Sequence, residues 1–186
     1  MPKKEKYRIL GVDPGSNVLG YAILDVNGQQ TKAVVFDVIS MARFSDHHEK
    51  LRHIFEELVK VIAKYKPDQM AVEAPFYGKN VQSMLKLGRA QGVAIAAGIT
   101  RDLTIAEYSP KKIKQSVTGN GNASKEQVAA MLKHTLAISL EDSKLDATDA
   151  LATALCHYYQ SKKLPGAGNS YSGWDAFLKD NPDRVR

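Results

Sequence analysis

Two short apolar runs of this chain each end in an acidic residue. This pattern restricts the folds that the chain can adopt. Asp13 follows the run 8–12 and Glu73 follows the run 70–72, while Asp146 and Asp149 open a segment that looks helical. A carboxylate at the end of a buried element is costly to desolvate unless something compensates its charge. A pair of divalent cations would compensate all four acids at once, provided that the fold brings them together.

The order of the predicted elements suggests how that can happen. Apolar runs predict three antiparallel strands over 8–12, 19–26 and 31–40, with a hairpin signal at Asn27-Gly28, and further strands over 69–73 and 103–108. Helical patterns cover 51–65 behind a cap at Asp46, then 80–100, 110–117, 124–137 and 146–160. We therefore expect an α/β fold with a five-stranded mixed sheet and helices on both faces. The first and fourth strands can lie side by side in it, so that Asp13 and Glu73 emerge from the same end.

Each acid also has a simpler explanation. Asp13 precedes Pro14-Gly15 and is typical turn chemistry, and Glu73 could be a charge at the end of a strand. Asp146 and Asp149 could stabilise the dipole of a helix whose first turn they occupy. However, their i, i+3 spacing puts both on one helical face. Four carboxylates without His or Cys suit Mg²⁺ or Mn²⁺ rather than zinc, and two such ions about 3.5–4 Å apart can clamp a phosphodiester displacement.

The positive charge is concentrated in two parts of the chain. The formal net charge is +6, and the acids are scarce over 79–101 and 108–135. This distribution favours a polyanionic partner, although a generic solvated basic surface would look the same. The cations that we single out there as candidate contacts to such a partner are Lys79, Lys86, Arg89, Lys114 and Lys125.

Length and composition predict one globular domain without a membrane segment. The chain has 186 residues, and we expect one folded domain over 1–162 followed by a flexible Pro/Gly/Ser-rich tail over 163–186. Cys156 is the single cysteine, which excludes an intrachain disulfide and fits a reducing compartment. No apolar run approaches the ~20 residues that span a bilayer. We therefore expect a cytoplasmic protein.

The chain resembles the RuvC-type Holliday-junction resolvases. The resemblance covers about residues 7–160 and is carried, in order, by four runs: 9–16 (Ile-Leu-Gly-Val-Asp-Pro-Gly-Ser), 72–73 (Val-Glu), 86–95 (Lys-Leu-Gly-Arg-Ala-Gln-Gly-Val-Ala-Ile) and 146–152 (Asp-Ala-Thr-Asp-Ala-Leu-Ala). It implies a ribonuclease-H-like fold and a homodimer that nicks four-way DNA junctions symmetrically in recombination and repair. It also implies dependence on Mg²⁺, and possible cooperation with a branch-migration helicase.

The resemblance also implies individual roles. Asp13, Glu73, Asp146 and Asp149 match the four metal-binding catalytic acids of the family, and Asp146 stands where some members carry histidine. Phe76 matches an aromatic residue that wedges into the bases at the crossover, although a core Phe would fit the sequence equally well. Lys114 and Lys125 match lysines that hold phosphates near the scissile bond. The expected products are 5′-phosphate and 3′-hydroxyl ends.

Two other functions remain open from the sequence. The Asp-x-Gly-Ser pattern after a strand also occurs in the first phosphate loop of actin-like and sugar-kinase-like phosphotransferases, which normally need a second such domain and a second phosphate loop. A non-enzymatic junction-binding protein would share the basic segments but would bind DNA independently of metal. Nuclease activity with a divalent cation distinguishes the three.

Overall fold

A five-stranded sheet forms the centre of the fold. The computed structural model describes residues 5–75, 80–139 and 145–162. The strands lie in the order β3-β2-β1-β4-β5. Antiparallel pairs form between β1 and β2 and between β2 and β3, and parallel pairs form between β1 and β4 and between β4 and β5. Their bounds are β1 (Lys6–Asp13), β2 (Val18–Asn27), β3 (Gln30–Ser40), β4 (Gln69–Glu73) and β5 (Thr104–Tyr108). This is the mixed sheet of the ribonuclease-H-like fold that we expected.

Helices cover both faces of the sheet and divide the core in two. The first apolar cluster joins one face to α1 and α2, and the second joins the other face to α3, α4 and α5. The helices are α1 (His47–Tyr65), α2 (Val81–Ile99), α3 (Pro110–Thr118), α4 (Lys125–Leu136) and α5 (Leu145–Lys162). In the described ranges, none of these helices is long and apolar enough to cross a bilayer.

Local sequence signals explain where three of these helices begin. The Asp46 carboxylate accepts hydrogen bonds from the backbone N–H groups of His48 and Glu49 at the start of α1. Ser124 and Gln127 form a reciprocal capping box at the start of α4, and Ser109 caps α3. Side-chain caps replace the hydrogen bonds that a first helical turn cannot make internally. The predicted elements are confirmed to within one or two residues at most ends.

The register of the sheet places two of the predicted acids at one edge. Val12 of β1 lies opposite Val72 of β4, and Asp13 and Glu73 are the next residues along the two parallel strands. Both side chains therefore leave the sheet at its carboxyl edge. The prediction that the first and fourth strands are neighbours is confirmed.

Two glycines let α5 lie directly on the sheet. A Cβ on Gly11 would overlap the backbone oxygen of Ala150, and a Cβ on Gly20 would overlap the backbone oxygen of Asp146. Because glycine has no side chain there, the backbone of α5 can approach β1 and β2 closely. The first turns of α5 are thereby held over the edge of the sheet where β1 ends. The proposed tail over 163–186 lies outside the described residues, so the division into a domain and a tail stays a prediction.

Candidate metal centre and nucleic-acid interface

Three carboxylates from two elements converge at this edge. Asp13 ends β1, while Asp146 and Asp149 occupy the first turns of α5 with the i, i+3 spacing that places them on one face. Each offers one oxygen, and these three oxygens lie within 4.8 Å of one another. All three side chains are partly buried. The group could hold a metal ion, and it includes Asp146, the acid whose counterpart varies within the family.

Glu73 lies beside this group rather than in it. Its side chain lines a cavity of about 190 Å³ together with Asp13, Pro14, Ala74 and Pro75. Asp13 therefore belongs both to the three-carboxylate group and to the cavity that Glu73 lines. The structure brings all four predicted acids to one region, with Asp13 in the middle.

Burial and nearby negative charge disfavour the charged forms of Asp13 and Glu73. The pKa of Asp13 rises to about 8, mainly because the carboxyl is desolvated and then because Glu73, Asp149 and Asp146 add negative charge nearby. The pKa of Glu73 rises to about 7, again mainly through burial and then through the charge of Asp149. A hard divalent cation prefers oxygen ligands and would favour the ionised forms. An all-carboxylate set with these pKa values thus fits such a cation.

A lysine partly compensates the negative charge of the carboxylate group. Lys125, the first residue of α4, donates a hydrogen bond from Nζ to Asp149 Oδ2 at 2.7 Å. This hydrogen bond is the main reason that the pKa of Lys125 is raised. Lys114 on α3 is half-buried, and its charge opposes the rise in the pKa of Glu73. Both lysines thus lie at the acidic site, on the sheet face that carries α3, α4 and α5.

The other predicted DNA contacts are separated from these lysines. Lys86 and Arg89 are exposed on α2, on the opposite face of the sheet. Phe76 and Lys79 lie outside the described residues, so their predicted roles are untested. The described cations thus lie on both faces of the sheet, and Lys114 and Lys125 are the ones that act on the carboxylates.

Gln91 is a residue that the sequence analysis did not single out for a role. It is only 8 % exposed and lines the same cavity as Asp13 and Glu73. Its Nε2 donates to Glu107 Oε2 at 2.5 Å, which fixes the orientation of the amide. The available signal was a polar residue on the otherwise small and apolar buried face of α2.

Two further residues of α5 lie away from the carboxylate group. His157 takes no part in the carboxylate group: its Nδ1 lies 2.8 Å from the Tyr108 hydroxyl and its Nε2 lies 3.0 Å from Gln69 Oε1. Cys156 is reduced and fully buried, and its Sγ donates a hydrogen bond to Ser116 Oγ at 3.3 Å. Both residues belong to the core under α5.

Comparison with known proteins identifies the family. Residues 9–157 match the model of the family described as crossover junction endodeoxyribonuclease RuvC. The chain belongs to the RuvC family. The crossover junction endodeoxyribonuclease RuvC of Christiangramia forsetii is 52% identical over 98% of this chain and 95% of its own length. That of Cytophaga hutchinsonii is 55% identical over 100% of this chain and 91% of its own length.

Solved structures agree with this assignment. The structure of Thermus thermophilus RuvC has a TM-score of 0.73 and 28% identity, and covers 83% of this chain and 95% of that chain. The structure of T. thermophilus RuvC in complex with Holliday junction substrate has a TM-score of 0.77 and 27% identity, and covers 83% of this chain and 94% of that chain. Membership of the RuvC family decides among the functions that the sequence left open: the chain is an endodeoxyribonuclease of crossover junctions.

Proposed function

We propose that this RuvC-family nuclease resolves four-way DNA junctions by paired, symmetrical nicks that depend on Mg²⁺. The observation that carries the proposal is the convergence of Asp13, Asp146 and Asp149, with their oxygens within 4.8 Å of one another, beside the cavity that Glu73 lines. Carboxylates are the preferred ligands of Mg²⁺, and Mn²⁺ can use the same donors. The Holliday junction bound to the Thermus thermophilus relative supports the choice of substrate.

The position of Asp13 supports two ions in each subunit. Asp13 can serve both the group that contains Asp146 and Asp149 and the cavity that contains Glu73. When bound, a pair of divalent ions supplies an activated water for attack on phosphorus and stabilises the departing 3′ oxygen. The four carboxylates hold and orient this pair, and they must be ionised to do so. The products are 5′-phosphate and 3′-hydroxyl ends.

Cations on both faces of the sheet are proposed to hold the DNA backbone. Lys114 and Lys125 lie next to the carboxylates and suit the phosphates closest to the scissile bond. Lys86 and Arg89 are exposed on α2 and suit phosphates further away. The proposed contacts of Phe76 and Lys79 rest on the family resemblance alone. Affinity for the junction should therefore fall steeply as the salt concentration rises.

A homodimer is supported by one face of α2. This face is turned away from the sheet, and its large apolar residues are 55–60 % exposed, while a Cβ on either of its glycines would meet nothing within 4 Å. Small and apolar residues on one exposed stripe allow two helices to pack closely, and a two-fold dimer would match the symmetry of the junction. The stripe consists of Val81, Leu85, Gly88, Gly92 and Ile99.

Replacing Leu85 with aspartate tests the dimer. The Leu85→Asp variant should sediment as a monomer at concentrations where the unmodified protein is a dimer, because two charges would face each other across the proposed interface. Lys64→Asp, on α1, is the matched control and should leave the mass unchanged. A dimer that survives Leu85→Asp would place the interface elsewhere.

Three further properties of the protein are proposals. The buried Cys156, which forms no disulfide in the described part of the chain, supports a reducing, cytoplasmic setting. A branch-migration helicase as partner rests on the family resemblance, whereas the organisation into a nuclease domain over 1–162 and a tail over 163–186 rests on the length and composition of the chain.

Separating binding from cleavage tests the proposed mechanism. Asp13→Asn and Glu73→Gln should bind a synthetic four-way junction as tightly as the unmodified protein but should not cut it in Mg²⁺. Glu56→Gln, which removes an exposed carboxylate from α1, is the control and should cut normally. Full cleavage by either site variant, or cleavage by the unmodified protein in excess EDTA, would contradict the proposal.

A further inference from the structure

A cluster of cations lies beside the acidic edge, on the sheet face opposite Lys114 and Lys125. Lys50 belongs to the first turn of α1, and Lys86 and Arg89 belong to α2, which packs against α1 on that face. α2 contains no acidic residue along its whole length. The cluster therefore combines three positive charges from two helices, while the start of α1 also carries the acids Asp46 and Glu49.

Lys50 is tied to the loop that follows Asp13. Its Nζ donates to Asn17 Oδ1 at 2.7 Å, and the backbone N–H of Met41 donates to the Asn17 carbonyl at 2.8 Å. Asn17 is four residues after Asp13, in the loop between β1 and β2. Its side-chain amide is neutral, so the hydrogen bond orients the ammonium group without neutralising it. Lys50 is thus a positioned positive charge beside the loop that follows Asp13, and among the described residues no carboxylate oxygen lies within 4.0 Å of its Nζ.

The α2 cations are uncompensated as well. Lys86 and Arg89 are exposed, and neither lies within 4.0 Å of a carboxylate oxygen in the described part of the chain. Like charges held close together repel one another unless an anion lies between them. This arrangement therefore suits an anionic ligand.

His47 reports the positive potential of the cluster. Its pKa is lowered, first by burial and then by the charges of Arg89 and Lys86 on α2 and of His48 and Lys50 on α1. Its Nε2 is buried without a hydrogen-bond partner in the described ranges. Bound phosphate would reverse the electrostatic part of this effect, so His47 can serve as a reporter of anion binding.

We infer that Lys50, Lys86 and Arg89 form a second phosphate-binding surface, which holds the DNA backbone on the α1–α2 side of the metal centre while Lys114 and Lys125 hold it on the other side. The inference rests on the proposed function for its ligand, a DNA phosphodiester backbone. It adds Lys50 and the Asn17 loop to the contacts predicted from the sequence. With cations on both faces of the sheet, the carboxylate edge can lie between two strands or two arms of a branched substrate.

The salt dependence of junction binding tests the surface. Binding of a fluorescent four-way junction is measured by anisotropy between about 50 and 300 mM salt, in Ca²⁺ or with the cleavage-deficient Asp13→Asn background. Each lost phosphate contact should lower the slope of log K against log salt by about 1 and weaken binding about 5- to 10-fold near 0.1 M salt. We therefore expect Lys50→Gln to lower the slope by about 1, and the triple Lys50→Gln, Lys86→Gln, Arg89→Gln variant by 2 to 3.

Matched variants separate charge from local structure. Lys64→Gln, about 21 Å further along α1, should leave the slope unchanged. Glutamine at position 50 can still donate to Asn17, so Lys50→Gln removes the charge while keeping that hydrogen bond. Lys50→Arg should retain the slope of the unmodified protein. If Lys50→Gln alters the slope no more than Lys64→Gln, or if Lys50→Arg is as defective as Lys50→Gln, the inference is wrong.

A second readout does not depend on mutating the surface. The imidazole of His47 is titrated by NMR with and without junction DNA, with His134 of α4 as a reference outside the surface. DNA should raise the pKa of His47, because phosphate offsets the charges of Lys50, Lys86, Arg89 and His48, and should leave that of His134 nearly unchanged. An unchanged His47 titration in the saturated complex would overturn the inference. The proposed function would survive either failure, provided that cleavage still requires the four acids and that binding still requires Lys125.

Discussion

Replacing Asp13 with asparagine should stabilise the metal-free protein while abolishing cleavage. Asn keeps the size of Asp but removes a carboxyl whose folded-state pKa is about 8 rather than 3.8. Between these values the folded protein binds a proton that the unfolded chain has released, so the contribution of Asp13 to stability decreases as the pH rises from about 4 to about 8. The benefit of Asp13→Asn should therefore be small near pH 4 and largest near pH 8.

The size of the effect follows from the pKa shift and its causes. One pKa unit corresponds to about 1.4 kcal/mol, which gives an upper bound of about 6 kcal/mol for Asp13 at pH 8. Part of this arises from Glu73, Asp149 and Asp146, which can take up protons themselves, and solvent reaches the partly exposed site. We expect about 2 kcal/mol, which corresponds to a rise in Tm of about 4–8 °C for a domain of this size.

Thermal unfolding in EDTA at several pH values measures this effect. Asp25→Asn is the matched control, because Asp25 forms an ion pair with Arg8 at 2.5 Å and its loss should not stabilise the protein. Adding Mg²⁺ at pH 8 should raise the Tm of the unmodified protein more than that of Asp13→Asn. Equal gains in Tm from Asp13→Asn at pH 4 and pH 8, or no gain at pH 8, would refute the reasoning that the Asp13 carboxyl is desolvated and that its ionised form needs a bound cation.

Three further substitutions probe the site. Lys125→Gln should lower the stability of the metal-free protein, because Asp149 loses its cation, and should weaken junction binding about 5- to 10-fold near 0.1 M salt; unchanged anisotropy titrations would contradict this. Gln91→Met should leave the Kd for the junction unchanged but slow single-turnover cleavage and raise the Mg²⁺ concentration for half-maximal rate, because the cavity loses its fixed amide; a normal Mg²⁺ dependence would limit Gln91 to a packing role. Gly20→Ala should destabilise the fold by about 1–3 kcal/mol in denaturant unfolding and impair metal binding, since the new methyl group would displace the Asp146 backbone; an unchanged midpoint would show that α5 can move aside freely.

Most of the fold could be predicted from the sequence, because the signals that define its strands and helices are local. The caps at Asp46 and Ser124 and the apolar runs of the strands fix where elements begin and end, and the edge position of Asp13 and Glu73 follows once β1 and β4 are parallel neighbours. The close docking of α5 could not be predicted in the same way. It depends on Gly11 and Gly20 meeting the backbone of a helix more than 120 residues later, and no local pattern encodes that contact.

The sequence predicted which acids form the candidate site but not how all of them are arranged. The i, i+3 spacing correctly put Asp146 and Asp149 on one face, but the sequence could not show that Glu73 stands outside the group of three acids, in a cavity that it shares with Asp13. Gln91 was missed because a lone glutamine in an alanine-rich helix carries no chemical signature. Its relevance depends on Glu107, which only the pairing of β4 with β5 brings near.

Cleavage of a four-way junction mapped at nucleotide resolution tests the central claim most directly. The junction carries a label on each of its four strands in turn and is incubated with the unmodified protein in Mg²⁺. We predict nicks in two opposing strands at symmetry-related positions, with 5′-phosphate and 3′-hydroxyl ends that a ligase can seal, and no nicks with Asp13→Asn. Unpaired cuts spread over all four strands, or no cuts in Mg²⁺ or Mn²⁺ across several junction sequences, would contradict the account.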